Sequence, residues 1–343
     1  MEDLLKKLLN HEDINFEGSR DMIDWIMSDQ GSTIKASALL VLLQAKGATV
    51  EEIAGAATAF RAKSIRVRAP ENAIDTCSTG GNGISTFNIS TCAAIIAAAG
   101  GAVVAKHGNR SNTRKSGSAE VLQALGVNIE LDLKQVEACV EEIGICFCYA
   151  VNHHPAMRFA IPIRKELGIP TIFNILGPLG NPAAAKNQII GVPQQGWTKQ
   201  FAEVLKQLGS NRVMVFTGAD GLCELTTTAD TYISELRDGE IRHYTVTPEE
   251  LGLKRGNLDD IRISSPEESA RIIEKIFVGE EQGTARDIAL LNSAAALVVG
   301  GVVDDLKTGL AKAAEAVDSG KAIEKLKSLV DFTRLPQHSA RSN

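Results

Sequence analysis

The stretch Asp75-Thr-Cys-Ser-Thr-Gly-Gly-Asn-Gly-Ile-Ser-Thr-Phe-Asn-Ile-Ser-Thr91 decides the fold. A β-type run, residues 73–77, leads into it, three glycines cross it, and a helical run, residues 90–99, leaves it. Strand, glycine-rich turn and helix in that order make up half of a parallel crossover unit. Gly80, Gly81 and Gly83 free the backbone to turn and to aim its N–H groups at a ligand. Asn88, Ser90 and Thr91 stand where the helix starts, and there the unpaired N–H groups and the positive dipole end favour an anion. No Gly-Lys-Ser/Thr follows, so this is not a Walker loop, and the glycines do not fit the dinucleotide fingerprint. A glycine-rich turn with an ordinary Ser/Thr cap has the same local pattern, so the loop alone leaves both readings open.

A second loop stands close downstream. Residues 102–106 read as the next strand and lead into Lys106-His-Gly-Asn-Arg-Ser-Asn-Thr-Arg-Lys-Ser-Gly-Ser118. A loop that follows the neighbouring strand of an α/β unit emerges at the same carboxyl edge, where such folds bind ligands. Lys106, Arg110, Arg114 and Lys115 bring four cations to it. In a chain with net charge −6, that concentration suits a polyanion. A solvated basic loop is the alternative.

The flanks extend the alternation. Residues 118–125 read as a helix, 127–131 as a strand, 132–142 as a helix and 145–150 as a strand. Then come a strand at 188–192, a helix at 197–208 and a strand at 212–217. Residues 231–236 and 240–246 flank Asp238-Gly239 and read as a hairpin. The chain after Ser265-Pro266 is helical. No strand pattern precedes residue 65, and Thr49-Val-Glu-Glu52 is a capping box inside that helical start. Residues 155–176 form a second helical interruption that could pack with the N-terminal helices. The expected fold is α/β: a small discontinuous helical domain hinged to a larger domain with a mainly parallel central sheet. Residues 1–66 plus about 166–186 form the small domain, and 72–165 plus about 187–335 the large one. Residues 336–343 read as a disordered tail. A cleft lies between the domains, with hinges near 65–72, 166–172 and 183–190.

Composition excludes several classes. The acidic balance opposes a broad nucleic-acid or anionic-membrane surface. The longest apolar runs, such as residues 93–99, are too short to span a bilayer, and no signal peptide is visible. The six cysteines include no CxxC pair and no zinc spacing, so reduced thiols in a cytoplasmic protein are the simple reading. Cys146 and Cys148 alternate in an apolar run and read as strand core.

Together the two loops resemble those of anthranilate phosphoribosyltransferase. The resemblance rests on Ser78-Thr-Gly-Gly-Asn82, Thr86-Phe-Asn-Ile-Ser-Thr91, Lys106-His-Gly-Asn-Arg110 and Ser116-Gly-Ser118. It continues through His154-Pro-Ala-Met157, Arg164-Lys-Glu-Leu-Gly168, Thr171-Ile-Phe-Asn-Ile-Leu-Gly-Pro-Leu-Gly-Asn-Pro182 and Asp220-Gly-Leu-Cys-Glu-Leu225. It implies Mg²⁺-dependent transfer of the phosphoribosyl group of phosphoribosyl pyrophosphate (PRPP) to anthranilate, in tryptophan biosynthesis, by a homodimer joined through the helical domains. By motif position, PRPP meets Ser78, Gly81, Asn82, Thr86, Asn88, Ile89, Ser90, Thr91, Lys106, His107, Gly108, Asn109, Arg110, Arg114 and Ser118. Lys106, Asn109 and Arg164 carry the catalytic roles. Anthranilate meets Asn109 and Arg164, with His107, His154 and Pro178 lining its route. Magnesium meets Ser90, Glu224 and the position held by Cys223. Arg164 has the planar fork that a carboxylate requires; a surface helix cation beside Lys165 and Glu166 is its plainer reading.

Three positions depart from the family pattern. Its first loop glycine is Ser78 here, the loop aspartate is Asn82, and the acidic metal pair is Cys223-Glu224. A thiol is a poor ligand for Mg²⁺, which predicts weaker metal binding. Two other readings stand beside this one. A pyrimidine nucleoside phosphorylase shares the architecture and a Ser-Thr-Gly-Gly loop. A catalytically weakened paralogue would keep only ligand or nucleic-acid binding.

Overall fold

The computed structural model describes residues 1–111 and 116–335. Four helices come first: α1 (Glu2–Leu9), α2 (Phe16–Ile26), α3 (Thr33–Lys46) and α4 (Val50–Ala62). Their starts follow local chemistry. Ser32 caps α3, and Thr49 and Glu52 close the expected capping box on α4. Gly47, at φ +86°, ends α3.

Strands and helices then alternate: β1 (Ile74–Ser78), α5 (Ile89–Ala99), β2 (Val104–Gly108), α6 (Ser118–Ala124), α7 (Leu133–Ile143), β3 (Ile145–Tyr149) and the short α8 (Ala150–His153). Helices α9 (Met157–Leu167) and α10 (Phe173–Leu179) interrupt before β4 (Asn187–Gly191), α11 (Gln195–Gln207) and β5 (Arg212–Gly218). The hairpin β6 (Thr231–Arg237) and β7 (Glu240–Val246) turns at Asp238 and Gly239, both with positive φ. Helices α12 (Pro266–Phe277), α13 (Thr284–Val299), α14 (Leu306–Asp318) and α15 (Lys321–Arg334) close the described chain.

The sheet runs β3-β2-β1-β4-β5-β6-β7, with the first five strands parallel. β6 and β7 add to its edge antiparallel. The chain moves from β1 outward to β3, then returns to the other side of β1 with β4. That reversal opens a crevice at the carboxyl ends of β1 and β4, the place where open α/β sheets bind ligands.

Alternate residues of each strand feed two cores. Ile189, Met214 and Phe216 face a core built with α5, α6, α7 and the C-terminal helices. Ile190, Val213 and Val215 face one shared by α11 and helices α1 to α4, α9 and α10. The helical bundle is therefore seated on one face of the sheet. α9 buries Ala160 and Ile163 in the bundle's core, so residues 155–176 pack with the N-terminal helices, and the larger domain's expected bound at residue 165 takes in most of a bundle helix.

Two expectations need correction. Residues 127–131 form no strand. Val127, Ile129 and Leu131 are buried, but Val127 N–H donates to the Leu122 carbonyl and Asn128 N–H to the Thr333 hydroxyl on α15. The alternation records burial from two sides without a pairing strand. The second strand starts at Val104, not residue 102, and carries Lys106, His107 and Gly108 inside the sheet rather than in a loop. The expected tail at 336–343 lies outside the described residues, as does Arg114.

Candidate active site

The glycine loop leaves β1 and is pinned at its base, where Thr79 N–H donates to the Gly191 carbonyl at the end of β4 (2.9 Å). Gly80, Gly81 and Gly83 hold φ of +66°, +87° and +70°. A Cβ placed on any of them would meet no atom within 4 Å, so the crest of the loop faces space. Asn82 crosses to the 220s loop, its side-chain amide donating to the Gly221 carbonyl (3.0 Å). Phe87 is buried and its N–H donates to the Ile261 carbonyl (3.0 Å). Thr86 bridges Arg262. These contacts fix the loop from both ends.

Asn88 is the N-cap of α5. Its Oδ1 accepts from Thr91 N–H (2.9 Å) and from the Ser90 hydroxyl (3.2 Å), and its own N–H donates to the Ser269 hydroxyl on α12 (2.8 Å). Ile89 and Thr91 are buried. The helix start is thus rigid, with an N-terminal dipole suited to phosphate.

Lys106 is buried in β2. Its ammonium donates to the Thr76 carbonyl and lies 3.3 Å from both the Thr76 and Ser90 hydroxyls. Burial lowers its pKa, and the Asp75 charge opposes that. Asp75 is also buried, which raises its pKa against the pull of Lys106. It accepts from His107 N–H (2.9 Å) and lies 3.4 Å from the Gln188 amide. Asp75 and Gln188 escaped the motif reading, although a carboxylate inside an apolar strand just before the loop was a visible signal.

Gly108 ends β2 against Ser118, whose hydroxyl would lie 2.5 Å from an added Cβ. Asn109 and Arg110 are exposed beyond it, with Arg110 Nε donating to the Tyr149 hydroxyl (3.2 Å). Glu120 draws the loop's two described ends together, accepting from Ser111 N–H (3.2 Å) and Gly117 N–H (3.1 Å).

An apolar wall adjoins β2. His107 Nδ1 donates to the Gly177 carbonyl of α10 (3.1 Å). The His107 ring lies 5.1 Å from that of His154, which stacks on Phe60 at 4.4 Å. Burial pushes His107 down to about 4 and His154 to about 3, so both rings are neutral at pH 7. Pro178 is buried, and its carbonyl accepts from Gln188 (3.1 Å). Arg164 projects from the end of α9 over the Phe173 ring (5.8 Å) and reaches Asn174 Oδ1 (3.4 Å). It has no carboxylate partner among the described residues, and partial burial lowers its pKa. Arg164 forms no hydrogen bond or ion pair with the glycine loop among the described residues; α10 contacts Arg164 at one end and His107 at the other.

The 220s loop packs tightly under the glycine loop. Cys223 is buried, its thiol 3.7 Å from the Gly80 carbonyl, and Glu224 is buried beside it. A Cβ on Gly191 would fall 1.6 Å from the Cys223 carbonyl, so only glycine fits there. No cluster of three or more His, Cys, Asp or Glu suited to a metal forms among the described residues. A magnesium ion held by protein side chains alone does not fit this donor set. The oxygens of Glu224 and Ser90 suit one that arrives on phosphate oxygens and keeps its waters. The Cys223 thiol is the soft member of the set.

The chain is similar to known proteins over most of its length. Residues 70–323 match the model of the glycosyl transferase family, a/b domain, and residues 2–64 that of its helical bundle domain. An anthranilate phosphoribosyltransferase of Acetivibrio thermocellus is 48% identical over 330 residues, covering 96% of this chain and 95% of the relative. One from Methylobacillus flagellatus is 45% identical, covering 95% and 96%. The crystal structure of the Thermus thermophilus anthranilate phosphoribosyltransferase superposes with a TM-score of 0.92 at 39% identity, covering 97% of this chain and all of that one. The Saccharomyces cerevisiae enzyme in complex with PRPP and Mg gives 0.87 at 27% identity, covering 96% and 97%.

Proposed function

The chain belongs to the anthranilate phosphoribosyltransferase family, and from that premise we propose that its chemistry takes place at the carboxyl rim of β1, β2 and β4. The protein is a pentosyltransferase of tryptophan biosynthesis. It joins the amine of anthranilate to C1′ of PRPP and releases pyrophosphate, with magnesium as cofactor. The observation that carries the site is one hydrogen-bonded cluster: Lys106 reaches Ser90, and Ser90 reaches Asn88. It ties the two crossover turns into one cradle.

In this reading Ser78, Gly81, Asn82, Thr86 and the α5 start from Asn88 to Thr91 receive the phosphates of PRPP. His107, Gly108, Asn109, Arg110 and Ser118 form the other wall; Arg114, the remaining PRPP residue expected from the sequence, lies outside the described residues. Lys106 acts from below, through Thr76 and Ser90, as a fixed positive charge under the cradle. Glu224 and Ser90 would hold magnesium, which when bound would neutralise charge on the pyrophosphate. The C1′–O bond loosens before the C1′–N bond forms. Loop N–H groups stabilise the charge that develops on the leaving group. Arg164 holds the anthranilate carboxylate, while neutral His107 and His154 offer the ring an apolar wall. The aromatic amine is already neutral at pH 7, so orientation rather than a strong base accelerates attack.

We place the small domain at residues 1–66 plus about 166–186, with α9 joined to it, and assign the protein to the cytoplasm. No described helix is long and apolar enough to cross a membrane. A homodimer through the helical domain has support on α3. Ile34 is 83% exposed, and Ala38, Val41 and Ala45 continue its stripe at helical spacing, all at least partly exposed.

Loss of anthranilate fluorescence on adding PRPP and Mg²⁺ tests the reaction. Phosphorolysis of thymidine or uridine, with no loss of anthranilate, would overturn it.

A further inference from the structure

The amino-terminal rim of the sheet, opposite the catalytic edge, carries a cation cluster that the reaction does not use. A cavity of about 160 Å³ lies there, where α4 and the linker after it meet the chain entering β4. Arg61, Arg66 and Lys186 line it, with Ser64 and Ser210, and no acidic residue does. None of the three cations forms an ion pair among the described residues, although the chain as a whole is acidic. Arg61 spends only Nε, on the Leu179 carbonyl, leaving the rest of its fork without a partner among the described residues. Like charges this close repel, and Arg61 is held down to about 10 by burial and then by Arg66. An anion would relieve both.

A second observation points to the same place. Ala184, on the wall of this cavity, has φ +51°, a left-handed conformation that costs a non-glycine residue about 1 kcal/mol. Such strain collects at ligand clamps. A larger neighbouring cavity of about 490 Å³ shares Ala184, Ala185 and Lys186 and adds Arg212 and Glu71, leaving room for a sugar whose hydroxyls Glu71 could accept from.

We infer that this rim cavity is a second anion site, built for a phosphate group presented by a small molecule. Arg61 and Arg66 hold the anion from the helical side, and Lys186 and the Ser210 hydroxyl from the sheet side. The shared chemistry is a phosphate dianion, either free or as a sugar phosphate ester reaching toward Arg212.

Calorimetric titrations of inorganic phosphate and of ribose 5-phosphate into the wild-type protein and Arg66→Gln/Lys186→Gln test this. Anion binding at the catalytic rim is common to both proteins, so the difference isolates the cavity. At least a tenfold loss of affinity for one ligand is expected in the double variant, with PRPP turnover within twofold of wild type. The ligand bound more tightly identifies the source, ester or free anion. Identical isotherms for both proteins, or no binding to the wild type, overturn the assignment. Turnover is read separately, so an inactive protein with an intact rim difference refutes the proposed reaction and leaves this site standing.

Discussion

The Lys106 ammonium, on the closing strand of the first crossover unit, lies 3.3 Å from the Ser90 hydroxyl at the start of that unit's helix. This contact joins β2 to the start of α5 under the glycine loop. A buried charge left without its partner destabilises by about 3 kcal/mol or more. Lys106→Met leaves the Thr76 carbonyl without its donor and removes the positive charge that offsets buried Asp75, so its unfolding free energy in urea should fall by that order and its activity should be lost. A variant with unchanged midpoint and turnover would show that the ammonium ties nothing together.

Arg164 tests the acceptor side. Removing a charge-assisted fork costs about 1.5–3 kcal/mol, or roughly 10- to 100-fold in binding. Arg164→Ala should raise the KM for anthranilate by that factor and leave that for PRPP within a few-fold, with Arg164→Lys between. Equal rises in both constants contradict the assignment.

His107 and His154 set an acid limit. Both have folded pKa values depressed by burial, to about 4 and about 3, below the unfolded value of 6.5. Between those values the unfolded chain binds more protons, so stability is complete above pH 6.5 and is lost as pH falls toward the folded values. Each ring accounts for roughly 2–3 kcal/mol by pH 4.5. His154→Phe should flatten the urea midpoint between pH 7 and 4.5 relative to wild type. Parallel curves for the two proteins refute the assigned cause.

The apolar stripe on α3 predicts a dimer in solution. Val41→Glu places a charge on that stripe and should convert a two-chain mass in light scattering to a one-chain mass. A wild-type protein that already runs as a monomer refutes the dimer.

Most of the fold was legible because its signals are local. Thr49 with Glu52, and Asp238-Gly239, each announce a cap or turn within four residues. The crossover order followed from the alternation of strand and helix runs. Residues 127–131 misled because alternation reports burial, and their partner Thr333 lies 205 residues away. The site was legible as two loops, but not as a supported structure. The Ser269 hydroxyl behind Asn88, the Gln188 amide near Asp75 and the ring of Phe60 on His154 are long-range partners that no spacing announces. The support of Lys106 was hidden in the same way, since Thr76 and Ser90, which take its ammonium inside, carry no spacing signal toward it.

In the proposed site the glycine loop and β2 hold PRPP between them. Calorimetric titration of PRPP with Mg²⁺ into wild type and Gly81→Val measures it most directly. The wild type should saturate at one PRPP per chain. The variant, with a side chain in the open crest at φ +87°, should lose PRPP binding at least tenfold while its far-ultraviolet dichroism is unchanged. A Gly81→Val protein that binds PRPP as tightly as wild type shows that PRPP does not sit against the loop crest.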